Sequence, residues 1–257
     1  MSLPPLASLN APPRFDGADD LPVLLLINSL ATEYRLWESQ IPQLTPHFRV
    51  LRYDHPGHGR SPAGAPPYSL DDLGGQVLRL LDATGVAQAH VCGLSIGGLI
   101  ATWLATRAPE RVNRLVLANT SARIGTAEGW EARMAQVRAG GLAPLVAPSL
   151  ARWFTPALRA AEPALTASFG ADLTRVSVDG YLGCCAALRD ADLWPDVHRI
   201  AAPTLVIAGT HDAVTTVAEG QRLTDTIRGA RLVTLDAAHL SNVASPAFTE
   251  ALLAGLH

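Results

Sequence analysis

The sequence contains no lysine: all 20 of its basic residues are arginines. That absence excludes Schiff-base chemistry, attachment of pyridoxal phosphate and a phosphate-loop lysine. Cysteine is nearly as scarce. Cys92, Cys184 and Cys185 form one adjacent pair and a third inside an apolar run, which is neither a disulfide framework nor zinc spacing. Buried, reduced thiols are expected. No apolar stretch reaches the roughly 18 residues of a membrane span, and "MSLPPLASLNAPPRF" lacks a basic segment followed by an apolar core. The chain is therefore expected in the cytoplasm, without a membrane partner. Nor is there an excess of either charge: 20 basic and 23 acidic residues leave a formal net charge of −3 with no basic run, which speaks against a nucleic-acid partner.

What the 257 residues do contain is apolar material, 48% of the total, enough for one folding unit with a large core. Six short apolar runs read as strands: Leu21 to Asn28, Phe48 to Asp54, Ala89 to Leu94, Arg114 to Thr120, Thr204 to Gly209 and Arg231 to Asp236. Their Val, Leu and Ile are continuous rather than alternating, which suits strands covered on both faces and hence a mostly parallel sheet flanked by helices. Helical spacing in "LDDLGGQVLRLLDATG" and "GLIATWLATRAPERV" completes an α/β pattern. From Ser121 to Ala201 no buried strand is expected. Instead "TAEGWEARMAQVRAGG", "LAPLVAPSLARWF" and "VDGYLGCCAALRDADLW" read as helices broken by proline and glycine. The expected division is a core of residues 1–120 and 202–257 with a helical cap of residues 121–201 over the strand ends. The plainer alternative is that these helices pad one face.

Residues 91–100, "VCGLSIGGLI", place a serine among glycines between a strand and a helix. Gly93-Leu94-Ser95-Ile96-Gly97 is G-x-S-x-G in the context where the serine occupies a sharp, strained turn and its hydroxyl stands at the carboxyl edge of the sheet. The amide of Ile96, at a helix start, is then half of an oxyanion hole. A serine hydroxyl needs a base and an orienting acid, which in this architecture follow in the order serine, acid, histidine, each just beyond a later strand. "TLVIAGTHDAV" supplies Asp212 and "RLVTLDAAHLSN" supplies His239. Asp236 lies too close to His239 in the chain to reach its ring, and Asn119 stands at a further strand end where an acid would be the rival. His55 and His58, in "DHPGHGRS", have metal-like spacing, yet Pro56 and Gly57 make them turn residues. His211 is expected to point away from the site, and His90 to open a buried strand. The second oxyanion donor is expected in "LLLINSLATEYRLW", by position the amide of Leu30.

With these residues in place the chain resembles the α/β-hydrolase family, and within it the 3-oxoadipate enol-lactonases of bacterial aromatic catabolism. The resemblance runs through "INSLATEYRLW", "FRVLRYDHPGHGRS", "CGLSIGGLIATWLA", "PERVNRLVLANTSARIGT", "GYLGCCAALRDADL", "PTLVIAGTHDA" and "LDAAHLSNV", across most of residues 21–245. Asn28-Ser29 stands where many relatives carry His-Gly. The segment "MSLPPLASLNAPPRFDG" shows little of the edge hairpin usual in hydrolases. The resemblance implies nucleophile, acid and base at Ser95, Asp212 and His239, no cofactor, and a small anionic substrate: a five-membered enol-lactone bearing a carboxymethyl group. Without lysine, an arginine is the fixed cation for that carboxylate. Trp130 and Arg133 share one helix face at i, i+3, and Trp153 is a second candidate wall. The alternative for Arg133 is a surface pair with Glu128 or Glu131, with Arg138 next in line. Three rival readings are another ester or carbon–carbon bond hydrolase, a cofactor-free perhydrolase, and a ligand-binding protein on a hydrolase fold.

Overall fold

The computed structural model describes residues 13–257. Seven strands form one sheet: β1 (Arg14–Asp16), β2 (Val23–Ile27), β3 (Arg49–Arg52), β4 (Ala89–Leu94), β5 (Val112–Ala118), β6 (Thr204–Gly209) and β7 (Arg231–Leu235), in the spatial order β1-β3-β2-β4-β5-β6-β7. Every neighbouring pair is parallel except β1 and β3. All of β4 and β6 is buried, as their unbroken apolar runs require, whereas the outer strand β7 is half-exposed. The expected strand Arg114 to Thr120 begins two residues earlier and ends at Ala118. Asn119 takes a left-handed φ of 44° and turns the chain there.

The amino-terminal segment corrects the expectation of little edge structure, since Arg14–Asp16 pairs antiparallel with Val50 to Arg52. Residues 1–12 lie outside the described residues. Composition hid this strand because it is short and polar, and a single buried side chain anchors it. The Arg52 guanidinium bonds Asp16 through Nε at 3.0 Å and Nη2 at 2.6 Å, and Glu38 through Nη1 at 2.9 Å. A buried arginine is tolerable only with such complete pairing.

The helices are α1 (Ile41–Leu44), α2 (Leu70–Ala83), α3 (Ile96–Arg107), α4 (Ala127–Gly140), α5 (Val146–Trp153), α6 (Pro156–Ala161), α7 (Pro163–Arg175), α8 (Val178–Asp190), α9 (Val217–Thr226), α10 (Ser241–Ala244) and α11 (Ala247–Leu256). Side-chain caps set several starts, with reciprocal boxes at Ser69/Asp72 for α2 and Thr216/Glu219 for α9. The sheet alternates its burial: Leu25 and Ile27 pack with α2 and α3, while Leu24 and Leu26 pack with α11 and the helices after β5. No strand lies between β5 and β6, where α4 to α8 run. Cys92, Cys184 and Cys185 are buried and unpaired with one another, and burial pushes each thiol's pKa up. Among the described residues no helix is long and apolar enough to cross a membrane.

Helix α3, which begins directly after Ser95, is held close to α2 by an absent side chain. A Cβ on Gly74 would fall 2.1 Å from the indole of Trp103, whose Nε1 donates to Asp71 at 2.5 Å and so cannot swing freely. On Gly75 the same atom meets nothing nearer than the tip of Arg79 at 3.4 Å. Two neighbouring alanine substitutions are therefore expected to act oppositely in thermal unfolding. Gly74→Ala destabilises by about 2 kcal/mol through overpacking, and Gly75→Ala stabilises by about 0.5–1 kcal/mol through reduced chain entropy in the unfolded state. Equal shifts for the two would show that α2 and α3 repack without cost.

Candidate active site

Ser95 joins β4 to α3 with φ 62° and ψ −120°, a conformation that costs a non-glycine residue about 1–3 kcal/mol. The surrounding glycines are a demand for space. A Cβ on Gly93 would lie 2.1 Å from the Gly97 carbonyl oxygen, one on Gly97 2.3 Å from the Ile27 oxygen, and one on Gly98 2.5 Å from the Thr120 side chain. The turn is fixed from outside as well, since the Ser95 amide donates to Ala118 O and the Thr120 hydroxyl donates to Ser95 O.

The structure brings Ser95, Asp212 and His239 into one hydrogen-bonded row. His239 Nδ1 lies 2.8 Å from Asp212 Oδ2, and His239 Nε2 lies 2.9 Å from Ser95 Oγ. With the proton on Nδ1 facing the carboxylate, Nε2 is left to accept from the serine. Asp212 follows β6 and is itself saturated. Its Oδ1 accepts from the amides of Val214 at 2.7 Å and Thr215 at 3.1 Å, and its Oδ2 from Thr215 Oγ1 at 2.8 Å and Asn119 Nδ2 at 2.9 Å. Burial alone would raise its pKa. The His239 charge and hydrogen bond, with those of Asn119 and Thr215, outweigh burial and hold the carboxyl down at about 2. Asp236 faces away and pairs with exposed His211 at 2.8 Å, so both rivals are engaged with each other.

Leu30 borders the cavity above Ser95, in a loop that turns through Ala31 at φ 63° and closes with the Thr32 hydroxyl on Ser29 O at 2.8 Å. Ile96 begins α3 directly after the serine. Asn28 holds this loop. Its Nδ2 donates to Tyr53 O at 2.8 Å, and its Oδ1 accepts from Trp37 Nε1 at 2.9 Å. His55 adds a tether, Nε2 to Asn28 O at 2.8 Å. His55 and His58 do lie in a turn as expected, but both are buried, and desolvation lowers their pKa to about 4 and about 3.

The cavity over this row has a volume of about 310 Å³. Ser95, His239 and Leu30 lie at its floor, while Trp130, Arg133, Arg152, Trp153 and Tyr181 contribute from α4, α5 and α8. Arg133 therefore does not make the alternative surface pair: Glu131 bonds Arg189 instead, and Arg133 Nη1 donates to Tyr181 Oη at 3.3 Å. Its guanidinium also stands 5.9 Å from the Trp130 ring centre. Arg138 is exposed and outside the cavity. Residues missed from the sequence include Asn119 and Thr215, which orient Asp212, and Arg152 and Tyr181. Only Asn119 carried a signal, as a polar residue at a strand end.

The low pKa of Asp212 has a measurable sign. An acid ionising at about 2 when folded, against 3.8 otherwise, contributes stability that is complete above about pH 4 and is lost as pH falls toward 2. The difference in unfolding free energy between wild type and Asp212→Asn is expected to shrink by about 2 kcal/mol between pH 5 and pH 2, measured by urea denaturation. A difference constant across that range would mean that Asp212 titrates normally.

The chain as a whole is similar to known proteins. Residues 22–246 match the family model for the alpha/beta hydrolase fold. The chain is 44% identical to 3-oxoadipate enol-lactonase 2 of Acinetobacter baylyi over 237 residues, covering 92% of this chain and 89% of that protein. Among solved structures, the enol-lactonase of Burkholderia xenovorans LB400 superposes with a TM-score of 0.93 at 42% identity, covering 95% of each chain. A hydrolase of Pseudomonas aeruginosa PA01 superposes at 0.92 with 48% identity, covering 95% of this chain and 93% of that one. The fold is thus shared with these proteins, and the chain belongs to the alpha/beta hydrolase family.

Proposed function

We propose that the protein opens 3-oxoadipate enol-lactone to 3-oxoadipate, a step of bacterial aromatic catabolism through β-ketoadipate, by way of an acyl-enzyme on Ser95. The observation that carries this reading is a cavity with the Ser95–His239–Asp212 row at its floor and, among the described residues, arginine as the only charged side chain type in the walls above it. Sequence similarity to the two enol-lactonases supports the same substrate class. Residues 121–201 act in this reading as a cap that closes over the substrate.

In the first step Ser95 Oγ attacks the ring carbonyl as its proton passes to His239 Nε2. Asp212, still ionised, steadies the imidazolium. The amides of Ile96 and Leu30 hold the developing oxyanion, and the α3 dipole adds to their effect. The carbon–oxygen bond of the ring then breaks, and His239 returns the proton to the enol, which becomes the ketone. Water enters, gives its proton to His239 and attacks the acyl group, releasing the second carboxylate and restoring Ser95. Arg133, beside Trp130 and in the same cavity as Trp153, binds the carboxymethyl group. Without such a partner, desolvating that anion would be prohibitive.

An absorbance assay of lactone disappearance tests this directly. Ser95→Ala is expected to lower turnover on the order of a million-fold with the fold retained, and survival of more than about a tenth of the activity would exclude Ser95 as nucleophile. Arg133→Gln is expected to lower the ratio of kcat/KM for the anionic lactone to that for an aryl acetate by at least about tenfold, some 1.4 kcal/mol. An unchanged ratio would move the carboxylate away from Arg133. Faster turnover of neutral esters than of the lactone by the wild type would favour a general esterase instead.

A further inference from the structure

Among the described residues the cavity wall holds two arginines and no carboxylate. The second, Arg152, lies in the last turn of α5, where a cation is favoured by about 0.3–1 kcal/mol near the exposed carbonyls of a helix terminus. That preference explains a charge at the position, but a solvated side chain would satisfy it equally well. Here the side chain turns into the same cavity as Arg133 and Tyr181. Its one side-chain hydrogen bond among the described residues, Nη2 to Ser149 Oγ at 3.3 Å, is long and leaves most of its donors unused. Burial lowers the Arg152 pKa, and the Arg133 charge lowers it further. Two half-buried guanidinium groups that repel each other in one cavity are stabilised by an anion between them.

We propose that Arg152 is a specificity-determining residue, the second arm of a clamp in which Arg133 and Arg152 hold one substrate carboxylate from two sides beneath the Tyr181 hydroxyl. A carboxylate offers about four lone-pair sites on two oxygens, more than one guanidinium fork occupies, so a second fork can bind without displacing the first. The arrangement selects a compact anion over an uncharged group of the same shape. It also joins the anion to the base. The main-chain oxygens of Arg152 and Trp153 accept from the amides of His239 at 3.3 Å and Leu240 at 3.1 Å, so the helix end that carries the clamp also seats the loop carrying His239. The identity of the carboxylate as the lactone's carboxymethyl group rests on the enol-lactonase reading. The clamp itself requires only a small aliphatic anion.

The test uses an unreactive ligand, so that it stands apart from the lactone assay. Titration calorimetry with hexanoate, and with hexanamide as its uncharged counterpart, is carried out on the full chain as wild type, Arg152→Gln and Arg152→Lys. The wild type is expected to bind hexanoate at least tenfold more tightly than hexanamide. Arg152→Gln is expected to reduce that preference about tenfold, and Arg152→Lys, which keeps the charge but loses the fork, to reduce it less. Because Arg152 also touches the His239 loop, a purely structural role would weaken both ligands alike and leave the preference intact, which would overturn the proposal. So would a wild type with no preference for hexanoate. If Arg152→Gln fails to fold, Arg152→Lys decides: a preference unchanged from wild type contradicts a two-fork clamp. Loss of the clamp with intact lactone turnover removes this inference alone, and a clamp without lactone turnover removes the enol-lactonase reading alone.

Discussion

The close approach of backbone to backbone at the turn after β4 is the constraint on which the rest of the site depends. Gly97 runs against the carbonyl of Ile27, and Gly93 against the carbonyl of Gly97, with no room for a single methyl at either. This crowding forces Ser95 into its left-handed conformation and aims its hydroxyl out of the sheet. It also presses the start of α3 onto the end of β2, the strand that leads into the Leu30 loop. Serine and both candidate oxyanion amides are thus placed by one steric condition. The strain is sustained by the surrounding sheet, whose central strands are wholly buried.

A second ordering principle is charge. The carboxylate of Asp212 lies beneath the histidine, bonded on both oxygens and kept ionised, where it orients His239 and can offset a positive imidazole. Above the histidine the sign reverses, with Arg133 and Arg152 in the wall and, among the described residues, no acid facing the cavity. A substrate anion and a developing oxyanion would both meet a positive field, and the buried Asp212 carboxylate is screened from them by the imidazole. The absence of lysine from the whole chain gives every such contact the planar geometry of guanidinium.

Much of this was legible in the sequence because it depends on local pattern. Strand, turn and glycine spacing announced Ser95, and strand ends announced Asp212 and His239, since the α/β architecture places functional residues where strands stop. What could not be read depends on distant segments meeting. The edge strand Arg14–Asp16 is three residues long and held by Arg52, 36 positions from its partner Asp16. Asn119 and Ser241, 122 positions apart, join only when the sheet is assembled. Arg152 precedes the recognised Trp153 by one residue, but the side of α5 facing the cavity is set by how the helices after β5 pack, not by spacing. His55 looked like an ordinary turn residue, and its bond to Asn28 O appears only when β2 and β3 lie side by side.

Ser95 as the nucleophile for an enol-lactone is tested most directly by titrating the active protein with an aryl phosphonate and following lactone hydrolysis against covalent label. One adduct per chain is predicted, mapped to the peptide containing Ser95, with lactone hydrolysis falling in strict proportion to its formation. Lactone hydrolysis that survives complete labelling of Ser95, or that is lost through labelling at another residue, would contradict it.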